Sequence, residues 1–286
     1  MALGRTGFLP VMGEEALIVW DAEHETEHFI RRAAFDGISE DFGFIVPTPS
    51  RPTLVEVADS VFDRLFALYR RPAPRSRSAR ARGVERSGPA TSGVTVVERT
   101  VVAGLEGTIL QATSATALDA WLAEHGYASG PELVPYLQPY VAQGWYLTAF
   151  RVDASASSGR PVSMRAMRMS FATERPFFPY SEPQTARRQQ RPFRVSVVAP
   201  TRMSALEGTE PWDASVGYAA RSPRLAGILR GVVPAPAVRG ERWLTTFDEP
   251  SSLRGRSDLF FVPSADTRPV RSTIDRRMVG FGSARE

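Results

Sequence analysis

The sequence predicts an α+β fold in which a mostly antiparallel sheet is packed by two principal helices, residues 53–69 and 115–125. Three observations lead there. Short apolar runs rich in branched and aromatic residues recur between turn residues, which is the pattern of strands. Two stretches instead space their apolar residues three and four apart, the mark of a helix buried on one side. A hydrophobic fraction of 43% beside a charged fraction of 23% is that of an ordinary folded protein, and 286 residues suffice for a sizeable core.

Taken in order, Ala16 to Trp20 (ALIVW) is the first strand. A polar stretch from Asp21 to Glu27 follows, and His28 to Phe35 and Phe42 to Val46 read as the next two strands. Pro47, Pro49 and Pro52 close the last of these, because proline cannot donate to a ladder. Thr53-Leu-Val-Glu56 then reads as a capping box opening the first helix, with Leu54, Val57, Ala58, Val61, Leu65 and Leu68 on one face.

Residues 71–93 are nearly all arginine, serine, proline, glycine and alanine, with little to bury, so a disordered loop is expected there. Val94 to Val102 and Leu105 to Ala112 read as strands around an Ala103-Gly104 turn. Thr113 or Ser114 caps the second helix, whose Leu118, Trp121, Leu122 and His125 share a face. Gly126 suits its left-handed end, with Tyr127 closing over Leu122. Strand–strand–helix thus occurs twice, which hints at a duplicated unit.

Ser129 to Glu132 resembles another helix start, but Pro135 and Pro139 are expected to break it into short turns. Trp145 to Val152 and Val162 to Ala172 are strands, and Pro176 to Pro183 (PFFPYSEP) is an extended aromatic segment. Phe193 to Ala199, Trp243 to Phe247 and Leu259 to Val262 complete the strands, while 200–242 yields no clear pattern. The organisation expected is a flexible tail at 1–13 and one globular domain from 14–70 and 94–270. A division of that domain into two lobes near 153–161 is left open, and a loose tail follows from 271 to 286.

Composition removes several function classes. Without cysteine there are no disulfides, iron–sulfur clusters, thiolate zinc sites or cysteine nucleophiles. Without lysine, all 35 basic residues are arginine. Seven of them fall between Arg70 and Arg86 against Glu85 alone, so the rest of the chain is close to neutral. No specific nucleic-acid binding is expected, although the arginine-rich loop could be read as an anion-binding arm. No aromatic residue is interleaved in it for base stacking.

No apolar run approaches the roughly 18 residues of a membrane helix. The nearest, Leu225 to Val238, is interrupted by Arg230, Pro234 and Pro236. No signal peptide is visible in Met1 to Gly13. Nucleophile-elbow, P-loop and dinucleotide-binding motifs are absent.

The blocks Phe42 to Leu68, Thr113 to Tyr127 and Pro135 to Val152, with Phe171 to Pro183, resemble a bacterial family of unknown function, domain of unknown function 2330. They cover roughly the first two thirds of the chain. The resemblance implies an exported or envelope-associated protein, often made with a signal peptide and sometimes with a C-terminal anchor. It brings no established activity, cofactor or catalytic residue. This chain departs from the pattern in showing no signal peptide, early cysteines or C-terminal anchor.

One stretch has the spelling of a catalytic motif. His24-Glu25-Thr26-Glu27-His28 matches H-E-x-x-H, which on a helix puts two imidazoles on one face for zinc, with the glutamate as general base. Here Asp21, Glu23, Glu25 and Glu27 crowd the histidines between two strand-like runs. A hairpin turn holding His24, with His28 opening a strand, is the preferred reading. His125 is far off in sequence, so a third ligand would have to be a carboxylate.

His125 itself reads as a helix-end residue acting on the C-terminal dipole. Trp121, Tyr136, Tyr140, Trp145 and Phe150 read as core rather than pocket, and Phe177, Phe178 and Tyr180 as packed on the sheet. The expectation is therefore a non-enzymatic envelope module that binds or scaffolds a macromolecular partner and needs no cofactor. The alternative is a zinc-dependent hydrolase with His24 and His28 as ligands and Glu25 as base. Oligomeric state is not legible.

Overall fold

Alternation along the strands sorts the side chains of the computed structural model into three buried layers. The structure describes residues 2–4, 7–8, 11–35, 42–69, 93–127, 129–152, 162–163, 165–183, 191–206, 212–252, 255 and 257–271. The first strands are β1 (Ala2–Gly4), β2 (Gly7–Phe8), β3 (Val11–Asp21), β4 (Thr26–Phe35), β5 (Phe42–Thr48) and β6 (Thr53–Glu56). Helix α1 (Ser60–Tyr69) precedes β7 (Val94–Val102), β8 (Leu105–Ala112), α2 (Ala115–Glu124), α3 (Leu133–Ala142) and β9 (Tyr146–Val152). Then come β10 (Val162–Ser163), β11 (Met167–Ala172), β12 (Phe177–Phe178), β13 (Arg191–Ala199), β14 (Met203–Ala205) and β15 (Ser215–Arg221). The last elements are α4 (Leu225–Leu229), a 3-10 turn (Ala235–Val238), β16 (Trp243–Ser252), β17 (Leu259–Pro263) and β18 (Val270–Arg271).

A nine-stranded sheet runs β18-β15-β16-β13-β3-β4-β11-β6, with β10 also on β4. A six-stranded sheet runs β2-β1-β5-β9-β8-β7, and β12-β17-β14 form a small third sheet. Among the described strands, pairing is antiparallel except between β13 and β3. In β3 the odd residues Leu17 and Val19 join α1, α4 and the 3-10 turn in one core, while Ala16, Ile18 and Trp20 face the other way. That second core also takes Phe44, Val46 and Phe150 of the six-stranded sheet and the aromatics of the small sheet. The far face of the six-stranded sheet, with Ile45, Leu110, Leu147 and Ala149, is covered by α2 and α3. The layers are helix, sheet, sheet, helix, an α+β architecture.

Most expected elements are found. Ala103 (φ 56°) and Gly104 (φ 77°) both adopt left-handed backbone, as a two-residue hairpin turn requires. Ser114 caps α2 by accepting from the Ala117 amide at 3.0 Å. Gly126 (φ 77°) ends it, and the Tyr127 amide returns to the Leu122 carbonyl at 2.9 Å.

Other expectations are corrected. The first helix begins at Ser60, not at 53, because Thr53 to Glu56 pair with Met167 to Ser170 of β11 as an edge strand. Glu56 pairs with Arg165 at 3.0 Å instead of capping a helix, and Asp59 accepts from the Ala166 amide. Residues 133–142 form a continuous helix despite two prolines. Pro135 lies in its first turn, where no amide is needed, and only Pro139 forfeits a bond.

Residues 2–4 and 7–8, expected in a flexible tail, are strands, with β1 paired to β5. The two hairpin-and-helix units lie in different sheets, each with its helix on the outer side. The loop expected at 71–93 and the tail at 271–286 fall outside the described residues, apart from Gly93 and Arg271, as does the whole boundary at 153–161.

Candidate functional site

The H-E-x-x-H stretch lies on the β3–β4 hairpin, where Asp21 pairs with Thr26 and residues 22–25 turn the chain. Glu25 has φ 45°, a turn conformation and not a helical one. His24 is exposed, with Nδ1 2.9 Å from Oδ2 of Asp21. His28 is buried in β4, with Nδ1 2.8 Å from Oγ of Ser170 on β11. The two imidazoles therefore have separate partners, and the helix that would align them for zinc is not formed. Among the described residues no three His, Cys, Asp or Glu side chains cluster as metal ligands.

What the nine-stranded sheet does assemble is a band of buried charge across β4, β3, β13 and β16. On its α1 face Arg32, Glu15, Arg194 and Asp248 stand in register. Arg32 donates twice to Oε2 of Glu15, at 3.0 and 2.7 Å, and Arg194 Nε donates to Asp248 at 2.6 Å. Arg194 Nη1 is also 4.0 Å from Oε1 of Glu15. The guanidinium of Arg32 sits 4.6 Å over the ring of Phe62 of α1. One row further, Tyr69 reaches from α1 to Ser196 (3.0 Å) and Thr246 (2.8 Å), and burial pushes its hydroxyl up to about 12.

The opposite face binds the aromatic segment 176–183, a strap between the sheets. Three carboxylates hold it. Glu27 of β4 accepts from the Phe177 amide at 2.8 Å, Glu249 of β16 accepts from the Tyr180 hydroxyl, and Asp258 accepts from the Ser181 amide at 3.0 Å. Asp258 also accepts from the hydroxyl of Tyr140 on α3, at 2.9 and 3.1 Å. Burial raises Glu27 well above the usual carboxylate range, despite the Phe177 bond, and raises Asp258 to about 6. Burial likewise pushes up the hydroxyls of Tyr136 and Tyr140.

Beneath the strap, Glu14 pairs with Arg31 at 2.6 Å beside Tyr180 and Glu182. The cavity they line is about 10 Å³, the room of roughly one water.

The aromatic residues singled out in the sequence are mostly core: Trp121, Tyr136, Tyr140, Phe150, Phe177, Phe178 and Tyr180 are buried, and Trp145 packs partly buried against them. His125 caps α2, with Nδ1 2.8 Å from the Trp121 carbonyl and its ring stacked 3.8 Å from the indole. Sequence reasoning missed both the charge band and the strap's carboxylates. The one usable signal was charge inside otherwise apolar strands, as in Glu14-Glu15 and Arg31-Arg32.

The profile of the family described as "Uncharacterized protein conserved in bacteria (DUF2330)" matches residues 7–252, and the chain belongs to that family. No curated protein matches it. Among solved structures, baculovirus P35 is similar at 6% identity and a TM-score of 0.39, over 92% of this chain and 96% of that one. The caspase-8/P35 complex also matches, at 6% identity and a TM-score of 0.35, over 91% and 94%. Likeness this distant establishes neither a shared fold nor a shared activity.

Proposed function

We propose that this member of the family is an envelope-associated binding or scaffold module that takes an extended segment of a macromolecular partner along its sheet edges. The observation behind the reading is the position of β6 and β7, the end strands of the two large sheets, with no described strand beyond either. The edges lie side by side, tied by Arg51 to Glu98 at 2.7 Å. Val55 on β6 and Val101 on β7 are 40% and 58% exposed. An open edge offers a row of amides and carbonyls that another strand can complete, and neighbouring branched side chains select its sequence. The envelope location rests on the family resemblance.

A photoreactive residue at position 101 of the full chain, expressed in cells, tests this. It should give one dominant adduct that is absent with the label at Ala123 on α2 and suppressed by Val55→Lys. Equal adducts from both positions, or none from 101, would end the proposal.

A further inference from the structure

We propose that Ser170 is an acyl-accepting serine, with His28 as the base that receives its hydroxyl proton. The two residues oppose each other directly in the β4–β11 pairing, so their side chains leave the same face of the sheet. Ser170 Oγ and His28 Nδ1 are 2.8 Å apart, within reach for direct proton transfer. Ser170 is half-buried, one strand in from the edge, opposite the exposed Thr53.

Burial and then the charge of Arg168 lower the pKa of His28 to about 4, against the opposing field of Asp21. The ring is therefore neutral at physiological pH, and with the proton on Nε2 its Nδ1 accepts from the serine. Arg168 lies two residues before Ser170 on the same strand. One end of its guanidinium donates to the Val232 carbonyl at 2.6 Å, while its buried Nε has no protein partner. A cation in that place stabilises negative charge growing on an attacked carbonyl oxygen.

The step is acyl transfer. The Oγ–carbon bond forms as the O–H bond breaks, and the proton moves to Nδ1. The tetrahedral intermediate collapses by breaking the bond to the leaving oxygen, which takes the proton from Nδ1 and departs as an alcohol. Water returns the serine by the reverse path, releasing the acid. So weak a base suits only acyl donors with acidic leaving groups, such as aryl esters.

An alkyl fluorophosphonate and p-nitrophenyl acetate, each incubated with the full chain, test the assignment. Expected is one adduct per chain, mapped to Ser170 by peptide mass spectrometry and lost in Ser170→Ala with an unchanged melting curve. The labelling rate should be flat from pH 5 to 8, since the base is already neutral throughout, and should fall at least tenfold in His28→Gln. No adduct at Ser170, or a rate rising about tenfold per pH unit across that range as hydroxide attack would give, overturns the proposal without any variant.

Discussion

Two pairs of acids, one on the α1 face of the nine-stranded sheet and one holding the strap, are buried in different company. On the α1 face Glu15 and Asp248 meet the guanidinium groups of Arg32 and Arg194. At the strap Glu27 and Asp258 meet only amides and a phenol. Burial favours the neutral acid in both places, and it raises Asp248 as well. There Arg194 opposes the rise, whereas Asp258 climbs to about 6 and Glu27 goes well above its usual range. At Asp248 a guanidinium works against burial, while at Glu27 and Asp258 burial outweighs the amide and phenol donors.

The comparison can be broken at its centre. Arg194→Met leaves Glu15 and Asp248 facing each other without the cation between them, and urea unfolding should show a loss of about 3–5 kcal/mol. A loss below about 1 kcal/mol would mean that the band's charges are not coupled.

Asp258 supplies the next effect. Its folded pKa is raised, so its contribution to stability is full below its unfolded pKa, near 3.8, and is lost as pH rises through about 6. Relative to Asp258→Asn, the native chain should therefore weaken by on the order of 2 kcal/mol between pH 4 and 7. Parallel curves of stability against pH for the two proteins would contradict the assignment.

The smallest change is expected at Glu27. Burial favours its neutral form, and Glu27→Gln keeps the acceptor for the Phe177 amide, so the change should alter stability by less than about 1 kcal/mol. A drop of several kcal/mol would show that Glu27 is ionised after all.

Local signals carried the readings that succeeded. The β7–β8 hairpin is written in Ala103-Gly104, and α2 in Ser114 and Gly126, because a turn or cap is decided by a few adjacent residues. Thr53 to Glu56 misled for the same reason: the spelling fits a cap, but pairing with β11, more than a hundred residues later, decides the conformation. The charge band could not be read in advance, since Glu15 finds Arg194, and Arg194 finds Asp248, only once strand register is set. His28 meets Ser170 by the same long-range pairing, although its motif was conspicuous in the sequence.

The parallel pairing of β13 with β3 has a consequence for how the molecule comes into being. Glu14 to Val19 receive one of their two neighbours from Phe193 to Val198, with more than half of the 286-residue chain between them. A contact so distant forms late during synthesis and slows folding through the entropy of closing the loop. Any fragment that stops short of β13 exposes an apolar strand edge in mid-sheet, and should aggregate rather than fold.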